Sequence, residues 1–205
     1  MYRLLESLAI RDGLITHVDY HQNRIEKAFS NQFPLHTPWC LSELFKNLEL
    51  PQSGLYKLRF LYDSQNYHIE WAAYTPRNVS SLKLTEIGDY SYDHKFLDRD
   101  YIQDLFQKRG QADDILMVKH GCVTDTSYAN IALLDQHNNW ITPNKPLLEG
   151  TSRARLIAEE VISVKQILVN DLGQYKGVKP FNALMPLDDA RPLIPIGHIL
   201  NERIE

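Results

Sequence analysis

The 205-residue sequence predicts an α/β protein with two lobes, a small α+β lobe at residues 1–76 and a larger α/β lobe at residues 82–205. The first part combines strand-like pairs with amphipathic helical segments, which is typical of an α+β unit. The second part alternates strand-like runs with helical ones. Between them, Pro, Asn and Ser cluster in Thr75–Ser81, and residues 77–81 of this stretch are the predicted linker.

Local signals predict each element of the small lobe. Asp12-Gly13 is a hairpin turn signal between the predicted strands Tyr2–Ile10 and Leu14–Val18. An amphipathic helix is predicted next at Tyr20–Phe29, and Pro34 and Pro38 terminate it. A second helix is predicted from its cap Ser42 to Asn47. The last predicted element is a hairpin of the strands Gly54–Tyr62 and Tyr67–Tyr74.

The larger lobe is predicted by the same kinds of signal. Its elements are, in chain order, a strand at Leu82–Ile87, a helix at Leu97–Lys108, a strand at Ile115–His120, a loop that holds Asp125, strands at Tyr128–Leu134 and Trp140–Thr142 around a turn at Asp135–Asn139, a helix from Gly150 to Val164, a buried strand at Gln166–Asn170, a helical turn at Asp171–Tyr175 and a strand at Val178–Leu184.

Composition argues against several classes of protein. A formal net charge of −4 offers no electrostatic basis for binding nucleic acid. The two cysteines, Cys40 and Cys122, lie far apart without a CxxC pair, which favours a reducing compartment. Charges interrupt the N-terminal stretch, so it does not resemble a signal peptide, and no apolar run approaches the roughly 20 residues that span a bilayer. We therefore expect a cytoplasmic protein without nucleic-acid or membrane partners.

The most informative stretch is Gly121–Arg153. It combines an acid, Asp125, with two strand-like runs and a helix start at Gly150-Thr151-Ser152. A carboxylate can meet a protonated ring nitrogen and a helix N-terminus can take a phosphate, so the stretch suits the two ends of a planar anionic ligand. Pyridoxal phosphate (PLP) has these two ends, and its chemistry also needs a lysine within reach.

Lys95 is the candidate lysine. A lysine that forms a Schiff base must be partly desolvated, because its amine has to be neutral to attack an aldehyde. Taken alone, each candidate has a simpler interpretation. Lys95 could be a solvated surface residue and Arg24 an exposed helix position. Asp125 and Asn182 could be turn residues. The agreement of several segments therefore carries the hypothesis, and no single residue does.

Five segments, in their order along the chain, resemble segments of the class IV aminotransferases. The segments are HQNR, KFLDR, GCVTDTSYAN, LLEGTSR and FNALMP. This family of fold-type IV PLP enzymes includes branched-chain and D-amino-acid aminotransferases and aminodeoxychorismate lyases. The resemblance covers almost the whole chain and implies a D-amino-acid aminotransferase-like PLP-dependent fold. It also implies an N-terminal shortening, because relatives are expected to carry about twenty further residues before Tyr2.

The resemblance implies a role for each matched residue. Lys95 is implied as the Schiff-base lysine and Arg24 as a ligand of the cofactor phosphate. Asp125 is implied as the partner of the pyridine nitrogen, at a position where the family has glutamate, so this carboxylate is one methylene shorter. The remaining phosphate contacts are implied at Gly150, Thr151, Ser152 and Asn182.

Two further residues bear on the reaction. Lyases of the family tend to have a hydroxyl residue at the position of Ser7, where branched-chain enzymes have glycine, so the resemblance is strongest to 4-amino-4-deoxychorismate lyase. Arg59, in the strand YKLRFLY, offers a fork that suits a substrate carboxylate, and a solvated position on the strand is an equal alternative. The lyase reaction is a β-elimination that gives 4-aminobenzoate, a precursor of folate, and pyruvate.

Two other functions are also considered. A PLP-dependent aminotransferase acting on branched-chain or D-amino acids would use the same core residues, so these residues alone do not separate it from a lyase. A non-catalytic PLP-binding homologue is the alternative from a different class, and the intact Lys95 and phosphate-binding segments argue against it. In each catalytic case the substrate is a small-molecule amine. The resemblance further implies a homodimer, because relatives build their active site against a partner subunit.

Overall fold

The computed structural model describes residues 3–33 and 37–200. The chain divides into two compact units: unit 1 comprises Met1–Pro76 and His94–Asp98, and unit 2 comprises Arg77–Asp93 and Arg99–Glu205. Within the described ranges, no helix is both long enough and apolar enough to cross a membrane. Pro34, which was predicted to end the first helix, lies outside the described residues.

Unit 1 is an antiparallel sheet with two helices. Its elements are β1 (Leu4–Arg11), β2 (Leu14–Ile15), α1 (Val18–Gln32), α2 (Leu41–Phe45), β3 (Leu55–Tyr62) and β4 (Tyr67–Ala73). The strand order is β2-β1-β3-β4, and every neighbouring pair is antiparallel. Both predicted hairpins are confirmed, but the strand predicted to extend to Val18 ends at Ile15, since Val18 begins α1. At the first turn Asp12 and Gly13 both have positive φ, 46° and 84°, as the tight two-residue turn requires.

The core of unit 1 follows from the two-residue period of its strands. Alternate residues of β1 and β3 face the helices. These residues pack with Ile25, Ala28 and Phe29 of α1, and the cluster includes Leu4, Leu8, Ile10, Leu58, Phe60 and Tyr62. The spacing of the three apolar helix positions forms a single stripe, which explains why α1 packs on the sheet by one face.

The segment His94–Asp98 also belongs to unit 1, because it pairs with β1. The N–H of Leu5 donates to the carbonyl of Lys95 at 3.0 Å, and the N–H of Leu97 donates to the carbonyl of Arg3 at 3.0 Å. The backbone of Lys95 is therefore held beside β1. The predicted start of the next helix at Leu97 is wrong, because Leu97 takes part in this pairing. The helix begins at Asp100 instead.

The described part of unit 2 contains two sheets and two α-helices. Its strands are β5 (Leu82–Glu86), β6 (Asp114–Lys119), β7 (Cys122–Thr126), β8 (Asn130–Asp135), β9 (Trp140–Pro143), β10 (Ser163–Lys165), β11 (Tyr175–Phe181), β12 (Ile194–Pro195) and β13 (Ile199–Leu200). Its helices are α3 (Asp100–Gln107) and α4 (Thr151–Ala158), with short 3-10 helices at Val169–Gln174 and Ile196–His198. The sheet orders are β10-β9-β8-β11-β12 and β13-β5-β6-β7.

Among the described residues of unit 2, two clusters of buried side chains pack against β8. The larger cluster joins residues of both sheets, among them Leu82, Leu116, Val123, Ile131, Leu133 and Val178. On the other face of β8, Ala132 packs with Leu156 of α4 and Phe181 of β11. The alternation of Ile131, Ala132 and Leu133 therefore places β8 between the second sheet and α4.

Several predicted boundaries in both units are corrected by the structure. Asp125 lies in strand β7, because this segment pairs with β6, and not in a loop. Residues 166–170 form no strand, because their ladder is limited to an isolated bridge between Leu168 and Cys122 and the 3-10 helix already begins at Val169. Ser42 is not a helix cap, because α2 begins at Leu41, whose N–H donates to the side chain of Gln22.

Candidate active site

In unit 1, three polar side chains form a buried network between β1 and α1. Glu6 is 1% exposed and lies on the face of β1 that meets the helix. Its Oε2 lies 2.6 Å from Nδ1 of His21. Arg24, one helical turn after His21, donates from Nε to Oε1 at 2.9 Å and from Nη2 to Oε2 at 2.5 Å. The carboxylate is thus held by a bidentate arginine and a histidine.

The network keeps Glu6 ionised. Burial by itself would raise the pKa of Glu6, but the charge of Arg24 and the hydrogen bonds from His21 and Arg24 outweigh it and lower the pKa to about 2. Burial lowers the pKa of His21 despite its bond to Glu6, and the positive charges of Arg24 and Lys95 lower it further. Lys95, which is half-buried, therefore lies within electrostatic reach of this network.

Arg24 was predicted to bind the cofactor phosphate. Its two hydrogen bonds to Glu6 use one edge of the guanidinium, and a guanidinium carries five N–H donors in all. Glu6 therefore orients the arginine without using all of its donors. The phosphate role of Arg24 stays a prediction.

Ser7 and Arg59 are direct cross-strand partners in β1 and β3, so they share a face of the sheet. Since successive residues alternate, this face is opposite to the face that carries Glu6. Nη1 of Arg59 pairs with Oε1 of Glu70 at 2.5 Å, and the two side chains are 34% and 45% exposed. A substrate carboxylate would have to compete with Glu70 for this guanidinium, and both substrate roles stay predictions.

In unit 2, Asp125 is buried in β7 and both of its carboxylate oxygens accept hydrogen bonds. Nδ2 of Asn130 donates to Oδ1 at 2.9 Å, and the N–H of Leu148 donates to Oδ2 at 2.9 Å. Burial raises the pKa of Asp125 to about 6, although these donors and the charge of Arg153 oppose the shift. Asp125 therefore holds its proton to a higher pH than an exposed aspartate does, and a pKa of about 6 leaves it mostly ionised at pH 7.

The N-terminus of helix α4 lies near Asp125, because the N–H of Leu148, two residues before the N-cap, donates to this carboxylate. Its N-cap is Gly150, which has no side chain to cap the first turn. Thr151, Ser152 and Arg153 are all buried. Arg153 fastens the helix start to β9, because its Nη2 donates to the carbonyl of Pro143 at 2.8 Å. The predicted phosphate segment is thus a true helix N-terminus, with its backbone N–H groups aligned.

Asn182 follows β11 in a turn that its own side chain organises. Its Oδ1 accepts from the N–H groups of Leu184 at 2.9 Å and Met185 at 3.1 Å. Its Nδ2 donates to the carbonyl of Tyr128 at 3.4 Å, which attaches the turn to the segment after Asp125. The structure thus gives Asn182 a turn-forming role, and its predicted contact with phosphate stays a prediction.

The structure brings the predicted residues together within each unit. Unit 1 carries Lys95 and Arg24 around β1, and unit 2 carries Asp125 and the start of α4 around β7. Sequence reasoning assigned no role to several residues of these networks, among them Glu6 and Asn130. Signals for both were present: Glu6 is a charged residue inside the apolar strand LLESLAI, and Asn130 is the asparagine of the segment GCVTDTSYAN.

The chain matches the family Amino-transferase class IV over residues 3–188. It therefore belongs to this family, whose members are PLP-dependent enzymes. The family and the fold class predicted from the five segments are confirmed.

The chain is also similar to individual proteins. An uncharacterized protein of Haemophilus influenzae is 32% identical over 187 residues, which covers 90% of this chain and 98% of the relative. Among solved structures, a "putative 4-amino-4-deoxychorismate lyase" of Haemophilus somnus 129PT has a TM-score of 0.86 at 31% identity, covering 91% of this chain and 98% of that one. A hypothetical aminotransferase of Mycobacterium tuberculosis, in its PLP-bound form, shares the fold with a TM-score of 0.74 at 18% identity, covering 96% and 85%.

Proposed function

We propose that the protein is a PLP-dependent 4-amino-4-deoxychorismate lyase. The observation that carries this proposal is the similarity to the Haemophilus somnus structure, at 31% identity over 91% of this chain. The segment FNALMP and the hydroxyl residue Ser7 support the lyase over an aminotransferase, because both resemble the lyase branch of the family.

The residues of unit 2 fit the cofactor. Asp125 is buried and mostly ionised at pH 7, and it accepts hydrogen bonds from the side chain of Asn130 and from the backbone of Leu147 and Leu148. An ionised carboxylate has about four acceptor positions, so Asp125 can also meet a protonated ring nitrogen. The uncapped N-terminus of α4 at Gly150, Thr151 and Ser152 suits the phosphate.

The proposal assigns Arg24 and Asn182 to the phosphate as well. Arg24 is held in one orientation by Glu6, which lowers the entropy that it would lose on binding an anion. When bound, PLP supplies an electron sink for the carbanion that forms next to the substrate nitrogen. Asp125 supports this chemistry because its negative charge favours the protonated ring nitrogen.

Lys95 is proposed to move the proton. Its amine takes the proton from the substrate carbon that bears the nitrogen, as a general base. The bond between the neighbouring ring carbon and the enolpyruvyl oxygen breaks, the ring becomes aromatic, and the enol takes up a proton to leave as pyruvate. One molecule of 4-amino-4-deoxychorismate thus gives one 4-aminobenzoate and one pyruvate, without an oxidant or a second substrate.

The test is an assay of the purified protein with PLP and 4-amino-4-deoxychorismate. We expect pyruvate and 4-aminobenzoate in equal amounts, and we expect Lys95→Ala to remove turnover and the near-visible absorbance of the lysine-bound cofactor. Lys145→Ala, at an exposed lysine of unit 2, is the control and should keep both.

The outcomes separate the alternatives. Release of keto acids from a panel of branched-chain or D-amino acids, without pyruvate from 4-amino-4-deoxychorismate, would replace the lyase by an aminotransferase. Cofactor that binds but supports neither reaction would indicate the non-catalytic homologue. A protein that takes up no PLP would contradict the proposal as a whole.

A further inference from the structure

Asn130 is a buried residue at the start of β8 whose amide closes a ring of hydrogen bonds around Asp125. Its Nδ2 donates both to Oδ1 of Asp125 and to the carbonyl of Leu148, each at 2.9 Å. The N–H of the same Leu148 donates to the other oxygen of Asp125 at 2.9 Å. The strand that carries the acid and the loop that leads into α4 are therefore joined through one side chain.

The orientation of this amide follows from its partners. A carboxylate and a carbonyl both accept, so the NH₂ group must face them and Oδ1 must point away. That oxygen lies against Gly150, where a Cβ atom would overlap it. Gly150 has φ −73° and ψ 144°, a conformation open to any residue, so the glycine is required here for space.

We infer that Asn130 is a positioning residue for the cofactor, which sets the separation between the Asp125 carboxylate and the first turn of α4. The inference rests on the proposed function, in which these two groups meet the ring nitrogen and the phosphate. Because PLP is rigid between its ring nitrogen and its phosphate-bearing carbon, both contacts form well only if the two protein groups are held at a matching distance.

Asn130 also affects the charge of Asp125. Its amide is one of the donors that oppose the effect of burial on that carboxyl. Arg153 of α4 acts on Asp125 through its charge, and Glu149 acts on Arg153. The substitution Asn130→Asp leaves these two residues in place, but it replaces a donor by a second carboxyl group. Two adjacent carboxyls raise the pKa of one of them, so Asp125 would hold its proton to a higher pH.

The first experiment is a titration of the full-length protein with PLP, followed by near-visible absorbance, at a series of pH values. For the wild type we expect affinity to fall as the pH drops through about 6, because Asp125 must then lose a proton to meet a protonated ring nitrogen. In Asn130→Asp we expect this midpoint to rise by about one pH unit or more, and affinity at pH 7 to fall at least about twofold.

The second experiment tests the contact with Gly150 by a double-mutant cycle. Gly150→Ala should lower both PLP affinity and the unfolding midpoint of the apoprotein in the wild-type background. In the Asn130→Ala background the same substitution should cost less, because the atom that it overlaps is absent. This cycle is read by unfolding as well as by binding, so it serves even where Asn130→Asp folds poorly.

Asn139→Asp is the matched control. Asn139 also bonds an aspartate, since its Nδ2 donates to Oδ2 of Asp135 at 3.1 Å, but this pair lies in the exposed turn after β8. The control should leave the pH midpoint of PLP binding unchanged. A wild type that takes up no PLP would overturn the proposed function and this inference together. Normal uptake, with an unshifted midpoint in Asn130→Asp or additive effects in the cycle, would overturn the inference alone.

Discussion

Glu6 is a charged residue in the core of unit 1, and its partners explain how its burial is tolerated. A buried carboxylate is costly unless it is paired and hydrogen-bonded. Here Arg24 supplies two bonds and a charge, and His21 supplies a third bond. The network ties β1 to α1, so the residue that orients the predicted phosphate ligand also contributes to the stability of unit 1.

Glu6→Gln should destabilise the protein by about 3 kcal/mol at pH 7, because it removes the buried anion and leaves the partly buried guanidinium of Arg24 without its counter-charge. The pKa of Glu6 is lowered from 4.5 to about 2, so its stabilisation is fully present above about pH 4.5 and is lost as the pH falls through 2. The measurement is urea unfolding of both proteins at several pH values.

The matched control for this prediction is Glu70→Gln, since Glu70 also pairs with an arginine but is 45% exposed. An exposed pair contributes at most about 1 kcal/mol, and the control should change stability by no more than that. A deficit in Glu6→Gln that stayed constant down to pH 2 would show that lost packing, and not lost charge, causes it.

At the scale of elements, helix α4 ends earlier than the sequence suggests. The predicted helix extends to Val164, but the observed one ends at Ala158. The N–H of Glu160 donates to the carbonyl of Ile157 and that of Val161 to the carbonyl of Leu156, which is the Schellman arrangement. Glu160 therefore occupies the left-handed position, with φ 57°, that glycine usually takes.

Glu160→Gly should stabilise the protein by about 0.5–1 kcal/mol, because glycine adopts the left-handed conformation without strain. The measurement is the unfolding midpoint in urea or on heating. Ala158→Gly is the control, since it introduces the same residue into the right-handed last turn and should lower stability by about 0.5–1 kcal/mol. Equal effects at both positions would contradict this account of the helix end.

At the scale of the whole molecule, we propose a homodimer. The structure leaves large apolar side chains exposed, including Leu14 at 71% and Trp71 at 37%. Exposed apolar side chains of this size are available to an interface, where a second copy of the chain would cover them. Light scattering after size exclusion should give twice the chain mass of 23.8 kDa. A mass of 23.8 kDa across the micromolar range would contradict the dimer.

The sequence by itself determined the family, the cofactor class and most elements. Turns and helix starts depend on the conformation of a few neighbouring residues, so their sequence signals are local. Examples are Asp12-Gly13 and Gly150-Thr151-Ser152. The five segments are local in the same sense, and their order along the chain sufficed to predict the class IV aminotransferase fold that the comparison confirmed.

Only the tertiary structure decided which of these residues touch. The pairing of residues 95–97 with β1, the ion pair of Glu6 with Arg24, and the contact of Asn130 with Gly150 join residues that are distant in the chain. Strand register and helix packing set such contacts, and both depend on the burial of the whole core. The position of Asp125 was predicted wrongly for the same reason. Its neighbours locally favour a turn, but pairing with β6 outweighs this preference and makes the segment a strand.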